Sequence, residues 1–462
     1  MKTLNLPSIG RKLPLYLAGL ILPALPLALH AEEKDSPPEK PLDVTLHLNQ
    51  DKLVRGEAQD VVLKIDLVAG HPKHGGVRLP LNVAVVLDRS GSMEGSKLEQ
   101  AKQAACLLID RLEPDDVFSL VTYESEVEVD IPATKVGSNA DKWQRHIRKI
   151  ETGGSTALYA GVEAGGEEVK EYLKDNHINR IILLSDGLAN VGKKSPHEIT
   201  RLGKDLAEAG VGVTTIGLGA DFNEDLMTSL AEASDANYYY VEDVEKLPDV
   251  FAKELGQLDN IVARDVEIHI ILPEGVTPVE VMGRNEQFSG REATIRLSHF
   301  NASQKREILV KARLTPGEDA KDLELAQVST RYLDELAAGK EETLKVAVTA
   351  QVTGDKKAAV ASRNDDVVLR AQEMDTDKAK TLAANLAQSG DKDAARRVIN
   401  RQMEDNQAVA SSLPAAPSAS LTQENEKLQS YGGYFDAQDG EALAGSVKRA
   451  KAESWSRQNA KE

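Results

Sequence analysis

The sequence is poor in cysteine, in aromatic residues and in positive charge. A single cysteine, Cys106, in 462 residues rules out an internal disulfide and every multi-cysteine zinc or iron–sulfur site. Aromatic residues make up only 4% of the chain. The 56 Lys and Arg are outnumbered by 74 Asp and Glu, and the net charge of −18 argues against nucleic acid as a partner. Any metal site must therefore use oxygen or histidine ligands.

Signatures of catalysis are also missing. The sequence has no GxSxG elbow, no HExxH helix and no Walker loop. Its nine histidines form no acid–base pair with a recognisable nucleophile. We therefore expect a protein that is not an enzyme.

Long apolar runs are confined to the N-terminus. Basic residues precede an apolar run over residues 13–29, and Ala31 stands before Glu32, the first acidic residue. This order is typical of a secretory signal peptide, which we assign to residues 1–31, and it predicts an exported protein, periplasmic or secreted. A membrane anchor is the alternative, but prolines interrupt the run and its length is marginal for spanning. No later run is long enough to predict a transmembrane segment.

Short apolar runs alternate with helical segments over residues 79–256. The runs begin at Leu81, Val117, Arg180 and Val213. Nearly continuous apolar runs are typical of strands that are buried on both faces. Between them, apolar residues recur at spacings of three and four, as on one face of a helix. This alternation predicts an α/β domain with a doubly wound, mostly parallel sheet.

Apolar residues with a two-residue period flank this domain on both sides. The pattern covers residues 42–70 and residues 260–352. We predict one antiparallel β-sandwich built from both segments, with the α/β domain inserted in it or flanked by it. A separate N-terminal hairpin is the alternative. Further along, residues 355–410 predict a helical hairpin, and residues 411–462 predict a linker followed by a weakly ordered helical tail.

Oxygen-bearing side chains stand at three points of the α/β region. Asp88, Ser90 and Ser92 directly follow the first apolar run, within DRSGS. Thr156 ends GGST at the start of a helix, and Asp186 lies in SDG after the run from Arg180. Ligand sites of open parallel sheets form beyond the carboxyl ends of the strands. We therefore expect these side chains to form an all-oxygen metal site that water or a partner must complete.

Other interpretations of these segments remain open. Asp88 and Ser92 would cap the following helix, Thr156 would cap the next one, and Asp186 would start a turn. Tyr123 and Glu124, at the end of a strand, either line the rim of the site or belong to an ordinary turn.

The segments DRSGS, GGSTAL and LLSDG, in this order, resemble the metal-ion-dependent adhesion site (MIDAS) of von Willebrand factor A domains. The resemblance covers about residues 79–256. The flanking strands and the export signal are similar to those of secreted bacterial members, and the broad order is similar to that of inter-alpha-trypsin inhibitor heavy chains.

The resemblance implies a role for each position of the motif. Ser90 and Ser92 would bind a metal ion directly through their hydroxyls. Thr156 would bind it directly or through water, and Asp88 and Asp186 would act directly or through bridging waters. The motif is complete in this sequence, with no position substituted.

The expected ion is Mg²⁺, with Mn²⁺ or Ca²⁺ as substitutes, because Mg²⁺ requires six oxygen ligands and retains water. An ion that contacts few carboxylates stays electrophilic, so an Asp or Glu of a protein partner can complete its coordination. We therefore expect an exported, non-enzymatic protein that binds a partner through a divalent cation. The alternatives are an envelope assembly scaffold with a purely structural metal, and a metal-assisted hydrolase.

Overall fold

The computed structural model describes residues 40–70, 77–174, 176–219, 221–258, 260–435 and 440–459, so the expected signal peptide at residues 1–31 lies outside the described residues. The strands are β1 (Leu42–Leu48), β2 (Lys52–Val54), β3 (Gln59–Ala69), β4 (Leu81–Asp88), β5 (Val117–Tyr123), β6 (Val127–Lys135), β7 (Ile178–Ser185), β8 (Val211–Leu218), β9 (Tyr238–Val241), β10 (Ile261–Ile271), β11 (Val276–Met282), β12 (Glu292–Asn301), β13 (Lys305–Leu314), β14 (Asp322–Asp334) and β15 (Lys340–Thr353). The helices are α1 (Ser96–Arg111), α2 (Ala140–Ile147), α3 (Leu158–Glu171), α4 (Pro196–Glu208), α5 (Glu224–Ala233), α6 (Leu247–Gly256), α7 (Lys356–Ala361), α8 (Asp365–Gln388), α9 (Lys392–Ala410), α10 (Ala415–Phe435) and α11 (Gly440–Gln458). Within these described ranges, no helix combines the length and the apolar character needed to cross a membrane.

A six-stranded sheet forms the centre of the α/β region. Its order is β6-β5-β4-β7-β8-β9, and all neighbouring strands run parallel except β5 and β6. Every residue of β4, β5, β7 and β8 is buried, which explains why their sequences are nearly continuous apolar runs. The prediction of a mostly parallel sheet is confirmed.

Helices cover both faces of this sheet. Val85 of β4 lies in one core with Leu108 of α1 and Phe251 of α6. Its neighbour Val86 lies in a second core with Leu206 of α4. Successive residues of one strand therefore enter opposite cores, which is the doubly wound arrangement that the sequence predicts.

Two further sheets pack face to face as a sandwich. Their orders are β1-β3-β13-β11 and β12-β10-β14-β15-β2, and all pairs are antiparallel except β15 with β2. Ile65 of β3 pairs with Ile308 of β13, and both lie in one core with Ile268 and Ile295 of the opposite sheet. Because the N-terminal strands pair with strands that follow the α/β region, that region is inserted in the sandwich. The alternative of a separate N-terminal hairpin is wrong.

The C-terminal region is more regular than its composition suggests. The expected linker within residues 411–462 is wrong, because α10 begins at Ala415 and packs against α8, α9 and α11. Pro417 lies in the first turn of α10, where backbone amides have no intrahelical acceptor, so it does not break the helix. Leu421, Leu428 and Phe435 are buried on one face of α10. The helix forms because this apolar face has neighbours to bury it.

Candidate metal site

Three loops meet at the carboxyl edge of the central sheet. The first follows β4, the second precedes α3, and the third follows β7, which pairs in parallel with β4. The amide of Gly91 donates to the carbonyl of Gly154 at 3.0 Å, and the amide of Gly153 donates to the carbonyl of Arg89 at 2.7 Å. Backbone hydrogen bonds therefore join the first two loops in the crevice where parallel sheets bind ligands.

Asp88, the last residue of β4, is completely buried. Its Oδ1 accepts a hydrogen bond from the amide of Ser90 at 2.9 Å, and its Oδ2 accepts one from the hydroxyl of Ser185 at 2.6 Å. Burial raises the pKa of the Asp88 carboxyl, against the effect of these hydrogen bonds, because low-dielectric surroundings disfavour the charged form. A nearby cation would favour the ionised form.

The second carboxylate, Asp186, lies directly after β7 and is also completely buried. Its Oδ1 accepts a hydrogen bond from the Ser92 hydroxyl at 2.7 Å, and the hydroxyl oxygens of Ser92 and Ser90 are 3.1 Å apart. Its Oδ2 lies 2.5 Å from the Nζ of Lys97. The serines of the first loop thus lie directly beside the carboxylate of the third.

Thr156 is buried in the second loop and is held by the third. Its amide donates to Oδ1 of Asn190 at 2.8 Å, and its carbonyl accepts from the amides of Asn190 and Val191. A Cβ at Gly187 would lie 3.1 Å from Oγ1 of Thr156 and 3.3 Å from Oγ of Ser92. The two hydroxyls therefore face the same small space beside Gly187.

The structure brings the five predicted positions together at one edge of the sheet. They are Asp88, Ser90, Ser92, Thr156 and Asp186. The residues that precede the neighbouring helices are Gly95 before α1 and Ala157 before α3, and neither makes a side-chain cap. The helix-cap interpretation of these loops is therefore wrong.

Glu124, directly after β5, fixes the second loop. Its Oε2 accepts hydrogen bonds from the amide of Ser125 and, at 2.8 Å, from the amide of Gly154. The Ser125 hydroxyl accepts from the amide of Ser155 at 3.0 Å. Hydrogen bonds from Ser125 and Gly154 lower the pKa of Glu124 to about 2. Glu124 is more than part of an ordinary turn, because its carboxylate anchors the loop that carries Thr156.

Sequence reasoning misses three residues that support the site. Ser185 donates to Asp88, Asn190 accepts from the amide of Thr156, and Lys97 pairs with Asp186. The only signal for them in the sequence is their position within or close to the DRSGS and SDG segments. Polar residues are common in loops, so that signal does not single them out.

The donor set fits a hard divalent cation. Carboxylate and hydroxyl oxygens are the ligands that Mg²⁺ and Ca²⁺ accept. In the part of the chain that the structure describes, no group of three or more His, Cys, Asp or Glu side chains could hold a metal ion. A cation at this edge would therefore depend on serine and threonine hydroxyls as well as on two carboxylates.

The comparisons with known proteins agree with this architecture. Residues 82–253 match the family described as von Willebrand factor type A domain. This range runs from β4 into α6, the whole doubly wound unit that carries the three loops. The chain therefore contains a von Willebrand factor A domain, and here that domain is inserted in a β-sandwich.

The likeness to known proteins extends beyond this domain. An uncharacterized protein of Synechocystis sp. is 28% identical over 317 residues, which cover 66% of this chain and 73% of that protein. Inter-alpha-trypsin inhibitor heavy chain H4 of Homo sapiens is 29% identical over 164 residues, which cover 34% of this chain and 18% of that protein. A solved structure, von Willebrand factor type A from Catenulispora acidiphila, has a TM-score of 0.70 at 17% identity and covers 91% of this chain and 98% of its own. The shared fold thus reaches well outside residues 82–253.

Proposed function

We propose that this protein binds a divalent cation and, through it, an acidic side chain of a protein partner. The proposed ligands are Asp88, Ser90, Ser92, Thr156 and Asp186, and the proposed ion is Mg²⁺, with Mn²⁺ or Ca²⁺ as substitutes. The observation that carries the proposal is that two completely buried carboxylates and three hydroxyls meet at the carboxyl edge of the sheet. The proposal includes export after removal of residues 1–31 and the absence of catalytic activity.

The chain's own residues would act mainly by holding the donors in place. Ser90 and Ser92 would offer their hydroxyls, and Asp88 and Asp186 would balance the charge of the ion. Backbone hydrogen bonds between the loops limit how far these donors must move, which lowers the cost of binding. A bound cation would supply an electrophilic position for a carboxylate. Domains of this family often mediate protein–protein interaction, which supports a binding role.

The first test measures the cation directly. Mn²⁺ binding to the full chain is followed by electron paramagnetic resonance for the unmodified protein, Thr156→Val and Asp186→Asn. The control, Thr134→Val, removes a hydroxyl that donates to the carbonyl of Pro132 within edge strand β6. We expect each site variant to weaken binding at least about tenfold and the control to bind normally. Absence of saturable Mn²⁺ binding by the unmodified protein would overturn the proposal.

The second test concerns the partner. The unmodified protein and Thr156→Val are each used to capture proteins from an envelope extract, with Mg²⁺ and with chelator, and mass spectrometry identifies what is retained. A protein retained only by the unmodified chain with Mg²⁺, and released by a competing acidic peptide from its own sequence, is the expected result. Metal-dependent melting with identical captures in every condition would instead favour a scaffold with a structural metal.

A further inference from the structure

One lysine, Lys97, forms an ion pair with Asp186, which is also a proposed ligand of the cation. Lys97 is the second residue of α1, and its Nζ lies 2.5 Å from Oδ2 of Asp186 and 3.4 Å from the carbonyl oxygen of Ser92. Its side chain also passes near Gly219, after β8, where an added Cβ would lie 3.8 Å from both Cε and Nζ. Lys97 therefore reaches across the carboxyl edge of the sheet to the site.

The pair between Lys97 and Asp186 uses the second oxygen of that carboxylate. Oδ1 of Asp186 accepts from the Ser92 hydroxyl, and Oδ2 accepts from Lys97. Asp186 is completely buried, whereas the Lys97 side chain is 26% exposed. A buried carboxylate requires a counter-charge, and the ammonium group supplies one from the solvent side.

The position of Lys97 in its helix supports a specific role for this contact. Positive side chains are disfavoured near a helix N-terminus because they oppose the helix dipole. Lys97 lies in the first turn of α1 and points its charge toward the carboxylate instead of away from the protein. The attraction of Asp186 is therefore what holds the ammonium group there.

We propose that Lys97 is a tethered competitor of the divalent cation at Asp186, an inference that rests on the proposed function of the site. An ammonium group at Oδ2 of Asp186 opposes the binding of a divalent ion at the same buried carboxylate, because like charges repel strongly where water is scarce. A cation at Asp186 therefore binds against the charge of Lys97. Lys97 thereby weakens cation binding and keeps the site stable when it holds no ion, so that loading is reversible.

The experiment compares charge removal at Lys97 with charge removal elsewhere on the same helix. Lys97→Met removes the ammonium group and retains an unbranched side chain. Lys97→Gln removes the charge but keeps an N–H donor for Asp186. It serves as the second variant if Lys97→Met does not fold. The control is Lys102→Met, which removes a lysine that pairs with Glu99 at 2.9 Å on α1. Mn²⁺ affinity is measured by electron paramagnetic resonance, and melting temperature is measured with and without Mg²⁺.

Both Lys97 variants are expected to bind Mn²⁺ about tenfold more tightly than the unmodified protein, and Lys102→Met is expected to bind it with unchanged affinity. Their melting temperatures should be lower without Mg²⁺ and should rise more when Mg²⁺ is added. Unchanged or weaker Mn²⁺ binding by both Lys97 variants, with normal binding by the unmodified protein, would overturn the role of Lys97 alone. If neither the unmodified protein nor any variant binds Mn²⁺, the proposed function fails as well.

Discussion

At the scale of single residues, the candidate site depends on a glycine, Gly187, as well as on its polar side chains. Gly187 follows Asp186 and stands where a Cβ would crowd the hydroxyls of Thr156 and Ser92. Its backbone has no left-handed conformation, so glycine is required here for space and not for φ. The site is therefore sensitive to a single added methyl group.

Gly187→Ala should weaken cation binding and also lower the stability of the fold. The methyl group must push the Thr156 or Ser92 hydroxyl aside, and overpacking of this kind costs about 1–3 kcal/mol. We expect Mn²⁺ affinity to fall by roughly fivefold or more, since ligand positions shift. The measurements are Mn²⁺ titration and urea denaturation.

Gly317→Ala provides the comparison for this substitution. A Cβ at Gly317 meets no heavy atom within 4 Å, so both Mn²⁺ affinity and stability should stay unchanged. Mn²⁺ affinity that is equal in Gly187→Ala and in the unmodified protein would show that the space beside Gly187 has no part in cation binding.

The five motif positions can be predicted because each lies at the end of a recognisable strand or in the short loop beside a strand or helix. A residue at the end of a buried parallel strand must lie at the carboxyl edge, whatever the rest of the fold does. The partners of these positions cannot be predicted in the same way. Lys97 and Asp186 are separated by 89 residues, and their contact depends on the direction of a long flexible side chain.

At the scale of elements, α11 is bound to the α/β domain by buried ion pairs. Nζ of Lys448 lies 2.7 Å from Oε2 of Glu224 and 2.6 Å from the carbonyl oxygen of Phe222. Nζ of Lys451 lies 2.9 Å from Oε1 of Glu224 and 2.8 Å from Asp225. Glu224 is the first residue of α5, where a negative charge also suits the helix dipole. A short charged cluster therefore fixes the C-terminal helix to the domain that carries the site.

Lys448→Met should destabilise the folded protein by about 2–3 kcal/mol, because it leaves a buried carbonyl and a buried carboxylate short of a donor. Burial by itself would raise the pKa of Glu224, but Lys451 and Lys448 outweigh it and lower the pKa to about 2. A lowered carboxyl pKa gives stability that is present above the ordinary pKa of glutamate and is lost as the pH falls toward 2. The loss of stability on acidification should therefore be smaller in Lys448→Met.

Urea denaturation between pH 3 and pH 7 measures both effects. Lys170→Met on α3 is the matched change, since Lys170 is exposed and pairs with the exposed Glu167 at 2.9 Å. Exposed pairs are worth about 0–1 kcal/mol, so this variant should differ little from the unmodified protein. Equal destabilisation by the two substitutions would show that the buried cluster does not fix α11.

The elements that could be predicted are those whose pattern of burial gives apolar residues a simple period in the sequence. Buried parallel strands and amphipathic helices do so, and the fold class follows from their order. Edge strand β6 does not, because eight of its nine residues are exposed or partly exposed and it contains Pro132. Helix α10 is missed for a different reason, since its first turn contains Pro417 and Ser418 while its apolar face needs tertiary neighbours.

At the scale of the whole molecule, the C-terminal end of α5 and the residues just after it bring the inserted domain into contact with the sandwich. Oε2 of Glu232 accepts from Nδ2 of Asn285 at 2.6 Å, and Oε1 accepts from the Asn285 amide at 3.1 Å. Asp235 pairs with the buried Arg306 of β13 at 3.1 Å. The two-residue periods on both sides of the domain predict the insertion, but they contain no information about this contact, which depends on polar side chains at the ends of elements.

Burial raises the pKa of Glu232 to about 7, and the nearby Glu286 adds to the shift while Arg284 opposes it. A raised carboxyl pKa means that the folded state favours the protonated form. The contribution of Glu232 to the free energy of unfolding is fully present below the ordinary pKa of glutamate and is lost as the pH rises through about 7. The contact between the domain and the sandwich should therefore weaken between about pH 5 and pH 8.

Glu232→Gln should remove this part of the pH dependence, because the amide stays neutral and still accepts a hydrogen bond from Asn285. Between pH 5 and pH 8 we expect the unmodified protein to lose about 1–3 kcal/mol more stability than the variant, as the size of the pKa shift implies. Urea denaturation across this range gives the slope of the unfolding free energy against pH for each protein. The control is Glu208→Gln, which removes an exposed carboxylate at the end of α4. If all three slopes are the same, the charge on Glu232 is not what links pH to the contact, and the link must come from groups on other elements.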